Sequence, residues 1–240
     1  MKTFVFDLDG TIVQNGKPVD ERLSKQLQRM SQQYQLVFAS ARPVRDMLPL
    51  LPLSVQDSIL IGCNGGMAKQ GENWLFSHVF DEQSILKILS WLDQQEIPYL
   101  LDGTWKFSVS ATFHPFHDYV RSLSTEEIPL AELLQFGVTK VLILDGQSKK
   151  ECSAFLDKNG YKFNLNYHKS DDLYDITPQK ENKYQALQKL GIKDYVACGN
   201  DSNDFAMLDQ ADIEVFLGNE RDYPNADYYC QTNQLAELLA

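Results

Sequence analysis

The chain has 240 residues, 43% hydrophobic and 23% charged, with a formal net charge of −11; this is the composition of a folded domain, not a disordered one. The acidic balance, with no Lys/Arg cluster, argues against nucleic acid as a partner, and no apolar run reaches the roughly 18 residues of a membrane span. The opening MKTFVFDLDG meets acidic residues at once and has no signal-peptide core, so a cytoplasmic setting is expected.

In chain order, residues 2–6 read as a short strand that ends abruptly in Asp7-Leu8-Asp9-Gly10-Thr11. Asp20 suits an N-cap, and Leu23, Leu27, Met30 and Tyr34 recur at helical spacing after it. Residues 36–39 read as a buried strand ending in Ser40-Ala41-Arg42. After a further short helical segment, residues 59–61 form another strand, which ends at Cys63-Asn64-Gly65-Gly66. Strand and helix alternating through short joints predict a parallel sheet.

From about residue 81 the pattern changes. Strands become amphipathic, as over 105–109; helices begin near Glu82 and Lys149; and two strands meet near Gly103 as in a hairpin. This reads as an inserted α+β domain over 81–172, with 1–80 and 173–240 forming the outer domain. Residues 182–190 then read as a helix stopped by Gly191. Residues 195–198 read as a strand released into Gly199-Asn200-Asp201-Ser202-Asn203-Asp204. A helix, a strand over 213–217 and a final helix through Leu239 complete the chain. Cys63, Cys152, Cys198 and Cys230 form no C-x-x-C pair, which argues against zinc; Cys63 and Cys198 both end apolar runs, which suits reduced thiols near strand ends better than disulfides.

Each core strand is apolar until its C-terminal end, where polar or glycine-containing sequence begins. Ligands of open α/β sheets bind beyond those ends, and Asp7, Ser40, Asn64 and Asn200 all fall there. Asp7 and Asp9 are two apart, so on an extended backbone both carboxylates can face one side and suit a hard cation such as Mg2+; a solvated turn is the alternative. The glycine and glutamate positions of an EF-hand would fall on Ile12 and Pro18. Neither G-x-x-x-x-G-K-[ST] nor G-x-S-x-G occurs, so a P-loop and a serine-hydrolase elbow are excluded.

Asp7-Leu8-Asp9-Gly10-Thr11 resembles the first motif of the haloacid dehalogenase-like superfamily. Ser40, Lys183 and the run Gly199 to Asp204 match its second, third and fourth motifs in order. With Asn64-Gly65-Gly66 and the segment 204–208, the chain is similar to the Cof-type subgroup. The resemblance implies an α/β fold with a Rossmann-like parallel-sheet core and an inserted α+β cap domain over the catalytic crevice. It also implies a Mg2+-dependent phosphatase acting on small phosphorylated metabolites: sugar phosphates, nucleotides or phosphorylated cofactors. A phosphomutase stays open beside it, as does, from a different class, a non-catalytic phospho-ligand sensor.

Carried onto this chain, the resemblance makes Asp7 the nucleophile that forms an aspartyl-phosphate. Asp9 becomes the general acid and base, with metal binding or capping of the loop as its alternative. Ser40 and the adjoining Ala41 contact phosphate, unless Ser40 is only a helix N-cap before Pro43. Lys183 neutralises charge on the transferring group, with Lys180 as the rival in the same segment. Asn64 reaches the substrate or forms a turn, and Arg42 pairs within the core or touches substrate. The metal set is Asp7, Asp9, Asn200 and Asp204. Here the chain departs from the family pattern, whose first fourth-motif aspartate is Asn200; Asp201 could replace it through a shifted loop. Trp105, His114, His117 and Tyr119 are candidate pocket residues without an assigned role, and His78 and His168 have no partner visible in sequence.

Overall fold

The computed structural model describes residues 2–168, 172–178 and 181–240, and of His168 the backbone alone. It divides into two compact units, residues 1–76 with 182–240, and residues 77–181.

The first unit opens with β1 (Thr3–Asp7), α1 (Glu21–Ser31), β2 (Gln35–Ala39), the single turn α2 (Val44–Met47), β3 (Ile59–Gly62), β4 (Met67–Gln70) and β5 (Asn73–Ser77). The second unit carries α3 (Glu82–Gln94), β6 (Tyr99–Asp102), β7 (Phe107–Val109), α4 (Pro115–Leu123), α5 (Leu130–Phe136), β8 (Lys140–Ile143), α6 (Lys149–Lys158), β9 (Asn164–His168) and β10 (Leu173–Thr177). The chain then returns to the first unit with α7 (Lys183–Lys189), β11 (Tyr195–Gly199), α8 (Phe205–Leu208), β12 (Ile213–Leu217), β13 (Tyr228–Cys230) and α9 (Thr232–Leu238).

The first sheet has eight strands in the order β13-β12-β11-β1-β2-β3-β4-β5. The pairs from β13 to β3 are parallel, and β4 turns back antiparallel on β3. Its inner strands are buried on both faces, as the continuous apolar runs require. One face packs Val5, Val37, Ile61 and Ala197 against Ala186 and Leu187 of α7 and Met207 and Leu208 of α8. On α1, Asp20 accepts from the N–H groups of Arg22 and Leu23, and Leu23, Leu27 and Met30 form its buried stripe. The helix packs against β2 and α9.

The strand order places the site. From β1 the chain builds β2 and β3 on one side, and from β11 it builds β12 and β13 on the other. The reversal lies between β1 and β11, where Phe6 pairs with Cys198. Asp7 and Asn200 therefore leave the sheet side by side at the crevice such a reversal opens.

In the second unit the sheet runs β7-β6-β8-β10-β9, all antiparallel. One face packs Leu101, Val141, Ile143 and Tyr174 against α3, α5 and α6. The other packs Leu100, Phe107 and Leu142 against Val120 of α4. The boundaries differ from those expected at 80/81 and 172/173. Residues 173–177 form β10, paired with β8 and β9, and so belong to the inserted unit. Phe80 likewise sits in that unit's core. His117 is buried, its Nε2 lying 3.1 Å from the Tyr99 carbonyl, and it joins His114 in capping α4. Both histidines thus have structural partners. Among the described residues no helix is long and apolar enough to cross a membrane.

Candidate active site

Asp7 is the last residue of β1 and is buried. Beyond it the chain makes a tight loop in which the Leu8 carbonyl accepts from the N–H groups of Thr11, Ile12 and Val13. The loop needs glycine at position 10, where φ is +82° and a Cβ would stand 2.1 Å from Asn200 Nδ2. It returns Thr11 to the strand end, where the Thr11 hydroxyl donates to Asp7 Oδ2 at 2.9 Å.

Lys183 opens α7, with the Asn182 side chain capping the helix by accepting from Gln185 N–H. Its ammonium is buried between two carboxylates, donating to Asp7 Oδ1 at 2.5 Å and to Asp204 Oδ1 at 2.6 Å. Lys180, the rival lysine, lies outside the described residues. The loop after β3 supports this placement. Gly65 has φ +104°, and a Cβ there would come within 2.4 Å of the Asn182 carbonyl oxygen. Only glycine lets that loop lie against the start of α7.

Two carboxylates and one ammonium leave this buried group with one excess negative charge. Burial is the main cause that lifts Asp7 from 3.8 to about 7; the neighbouring Asp204 adds to it, and Lys183 and Thr11 oppose it. Burial alone would pull Lys183 down, but Asp204 and Asp7 together hold it well above the usual lysine range. Lys183 is thus a permanent cation beside a carboxylate that still takes a proton near neutrality.

Asp204 uses both oxygens within this framework. Oδ1 accepts from Lys183, and Oδ2 accepts from the N–H groups of Asn200 (3.0 Å) and Asp201 (3.2 Å). It organises the loop and the lysine rather than reaching outward. Asp201 accepts from the adjacent Ser202 N–H at 2.6 Å and turns into its own bend, so Asn200 is the residue placed beside Asp7. One end of the Asn200 amide lies 3.0 Å from Asp7 Oδ2, 2.9 Å from the Asp9 carbonyl and 3.0 Å from Thr11 Oγ1.

Asp9 does not continue the alternation of β1, because the strand stops at Asp7. Its carboxylate, 45% exposed, is instead gripped by Arg42, whose Nε and Nη2 donate at 2.7 and 2.9 Å. The two carboxylates thus have different partners, and Asp9 enters the Asp7 cluster through its backbone carbonyl. Among the described residues no three His, Cys, Asp or Glu side chains are arranged to hold a metal ion. The oxygens that do converge come from one carboxylate, one carbonyl and one amide.

Ser40 directly follows β2, which ends at Ala39, and is buried. Its Oγ accepts from Arg42 N–H at 3.1 Å, which leaves its own hydrogen to donate. Pro43, not Ser40, occupies the N-cap of α2. Ala41 bridges Ser40 and Arg42 at the end of the same strand. Asn64 N–H donates to the Ser40 carbonyl at 2.9 Å, which joins the two loops. Cys63 and Asn64 both hold left-handed backbones, with φ of 52° and 54°, a cost often kept at functional sites. The Asn64 amide oxygen accepts from Asn203 Nδ2 at 3.3 Å. Its amide nitrogen is buried and, alone among buried side-chain polar atoms of the described residues, has no hydrogen-bond partner.

Over residues 4–234 the sequence matches the haloacid dehalogenase-like hydrolases. The chain belongs to that family. Within it the chain falls with the Cof-type subgroup, in the branch whose named relatives are phosphatases. Phosphatase YwpJ of Bacillus subtilis is 24% identical over 92% of this chain and 91% of its own length. A haloacid dehalogenase-like hydrolase from Bacteroides thetaiotaomicron superposes with a TM-score of 0.85 at 22% identity, over 99% of this chain and 98% of that one. The subclass IIB sugar phosphatase BT4131 gives 0.78 at 18% identity, over 100% and 98%.

Three partnerships of this haloacid dehalogenase-like hydrolase leave no trace in the sequence pattern: Thr11 with Asp7, Arg42 with Asp9, and Asn203 with Asn64. Thr11 and Asn203 lie inside recognisable motifs. Arg42 follows Ser40 by two residues, and only the fold shows which acid it meets.

Proposed function

We propose that the chain is a Mg2+-dependent phosphatase that hydrolyses small phosphorylated metabolites through an aspartyl-phosphate on Asp7. The observation that carries this reading is the buried Asp7–Lys183–Asp204 group at the strand-order reversal. A carboxylate fixed there can attack phosphorus in line, while Lys183 balances charge on the transferring group. Asp9 protonates the leaving oxygen and later takes a proton from water. Ser40 and the unpartnered Asn64 amide nitrogen supply donors for the non-bridging oxygens, with Ala41 adjoining Ser40 on the same phosphate-contacting segment. An unmatched buried donor fits an anion, because left unpaired it costs its desolvation.

The residues also fit a hard cation. The excess negative charge calls for one, and the Asp7 carboxylate, the Asp9 carbonyl and the Asn200 amide oxygen would hold it, a small oxygen set that leaves room for water and phosphate as Mg2+ prefers. Bound there, Mg2+ would offset charge on the phosphoryl group. Asp204 would serve this site through Lys183 and the loop N–H groups. The four cysteines are buried and in no disulfide, which supports a reducing, cytoplasmic setting.

The test is turnover of a panel of phosphomonoesters with and without Mg2+, sugar phosphates first, because a subclass IIB structural relative is a sugar phosphatase. Release of inorganic phosphate only with Mg2+ is expected. A rearranged phosphoester as product would make the chain a mutase, and absence of turnover across the panel would favour the sensor.

A further inference from the structure

Two of the three oxygens facing the inner end of the Asn200 amide, the Asp7 oxygen in its carboxylate form and the Asp9 carbonyl, carry no hydrogen. An amide oxygen at that end meets both at contact distance, with the Thr11 hydroxyl as its donor at 3.0 Å. That hydroxyl is also directed at Asp7 Oδ2. An amide nitrogen at the same end donates to Asp7 and to the Asp9 carbonyl. The nitrogen-inward arrangement is therefore satisfied when the site holds only protein, and the oxygen-inward one when a cation sits among the three oxygens. Of Asn and Asp, only Asn can meet both demands, since a carboxylate presents an acceptor whichever way it turns. The exchange needs only rotation about Cβ–Cγ; the outer end of the amide lies against Gly10, where a side chain would stand in its place.

We propose that Asn200 is a reversible placeholder for the cation. Without metal its amide nitrogen ties the Asp7 carboxylate to the Asp9 carbonyl; with metal the amide turns over and presents its oxygen. The inference rests on the proposed Mg2+ dependence and adds a residue-level device to it. It follows that the metal-free site stays tied together, and that an entering cation must displace hydrogen bonds an aspartate would not make. Replacing the family's aspartate therefore trades affinity for order in the empty site.

The test uses the full chain as wild type, Asn200→Asp and Asn200→Ala, melted at about pH 8.5, where Asp7 is a carboxylate, in EDTA and in saturating Mg2+. In EDTA the Asn200→Asp protein should melt lower than wild type by about 4 °C or more, and Asn200→Ala should also melt lower. Mg2+ should raise the Tm of Asn200→Asp more than that of wild type, with calorimetric affinity tighter by roughly tenfold, since ligand charge sets affinity. A second readout needs no folded variant in EDTA: the side-chain NH2 resonances of Asn200, assigned as the pair missing from Asn200→Ala. They should be protected from solvent exchange in EDTA and lose that protection with Mg2+. An Asn200→Asp protein as stable as wild type in EDTA, or an amide pair unmoved by saturating Mg2+, overturns the placeholder while leaving the metal site standing. No Mg2+ response in any of the three overturns the metal site and the placeholder with it.

Discussion

Asp7 is held by groups that pull its protonation in opposite directions, and this gives the metal-free protein a pH signature. Its pKa is about 7 in the folded chain against 3.8 for the free group. Between those values the folded chain keeps a proton that the unfolded chain has released. Stability from this group is therefore fully present below about pH 4, falls as pH rises, and is lost above about pH 7. Melting metal-free wild type and Asp7→Asn from pH 4 to 8 should show this slope in the wild type alone. Asp7→Asn should also abolish turnover with the fold intact, because it removes the nucleophile at nearly constant volume. Asp9→Asn should slow turnover by about 10²–10⁴-fold, the usual worth of a general acid and base, with circular dichroism unchanged. A smaller loss would mean that the Arg42-bound carboxylate moves no proton. The residue types at the strand ends were legible in sequence, but their partners were not. Asp7 and Lys183 meet across 176 positions; the family resemblance brought them to one site, while no spacing in the chain does so. The abrupt end of β1 was read, but an extended backbone carried on to Asp9 was not the outcome: beyond Asp7 the loop turns the Asp9 carboxylate to Arg42.

Elements were legible where an apolar run is buried on both faces, as in β1, β2, β3 and β11. The edge strands β5 and β13 were not read: Asn73, Trp74 and Leu75 of β5 and Tyr228 and Tyr229 of β13 are exposed, so these short segments lack the buried pattern of a core strand. The inserted unit's end was misjudged for a related reason. Asp175 interrupts the apolar pattern of β10, although it is buried and accepts a hydrogen bond from Asn166 of β9. Loops that set the site depend on backbone conformations that sequence only hints at. Gly65→Ala tests this: a Cβ would strain a left-handed residue, costing roughly 1–3 kcal/mol, and would push on Asn182, which caps the helix that Lys183 opens. A lower Tm together with loss of activity greater than the unfolded fraction explains is expected. Full activity in the folded fraction would mean that the loop does not position Lys183.

At the scale of the whole molecule, each unit has its own core, and the Asp7–Lys183–Asp204 site belongs wholly to the first. The net charge of −11 would repel an anionic substrate at range, so attraction must be local. Lys183, the Asn64 amide and a cation beside Asp7 are the groups proposed to supply it. The proposed chemistry stands or falls on whether the phosphoryl group passes through Asp7. Acid quenching during turnover of a phosphomonoester with Mg2+, followed by peptide mapping by mass spectrometry, tests this directly. A phosphoryl adduct is expected on the peptide carrying Asp7, lost on mild alkaline treatment and absent from Asp7→Asn. Turnover with an adduct on another residue, or persisting in Asp7→Asn, would contradict it.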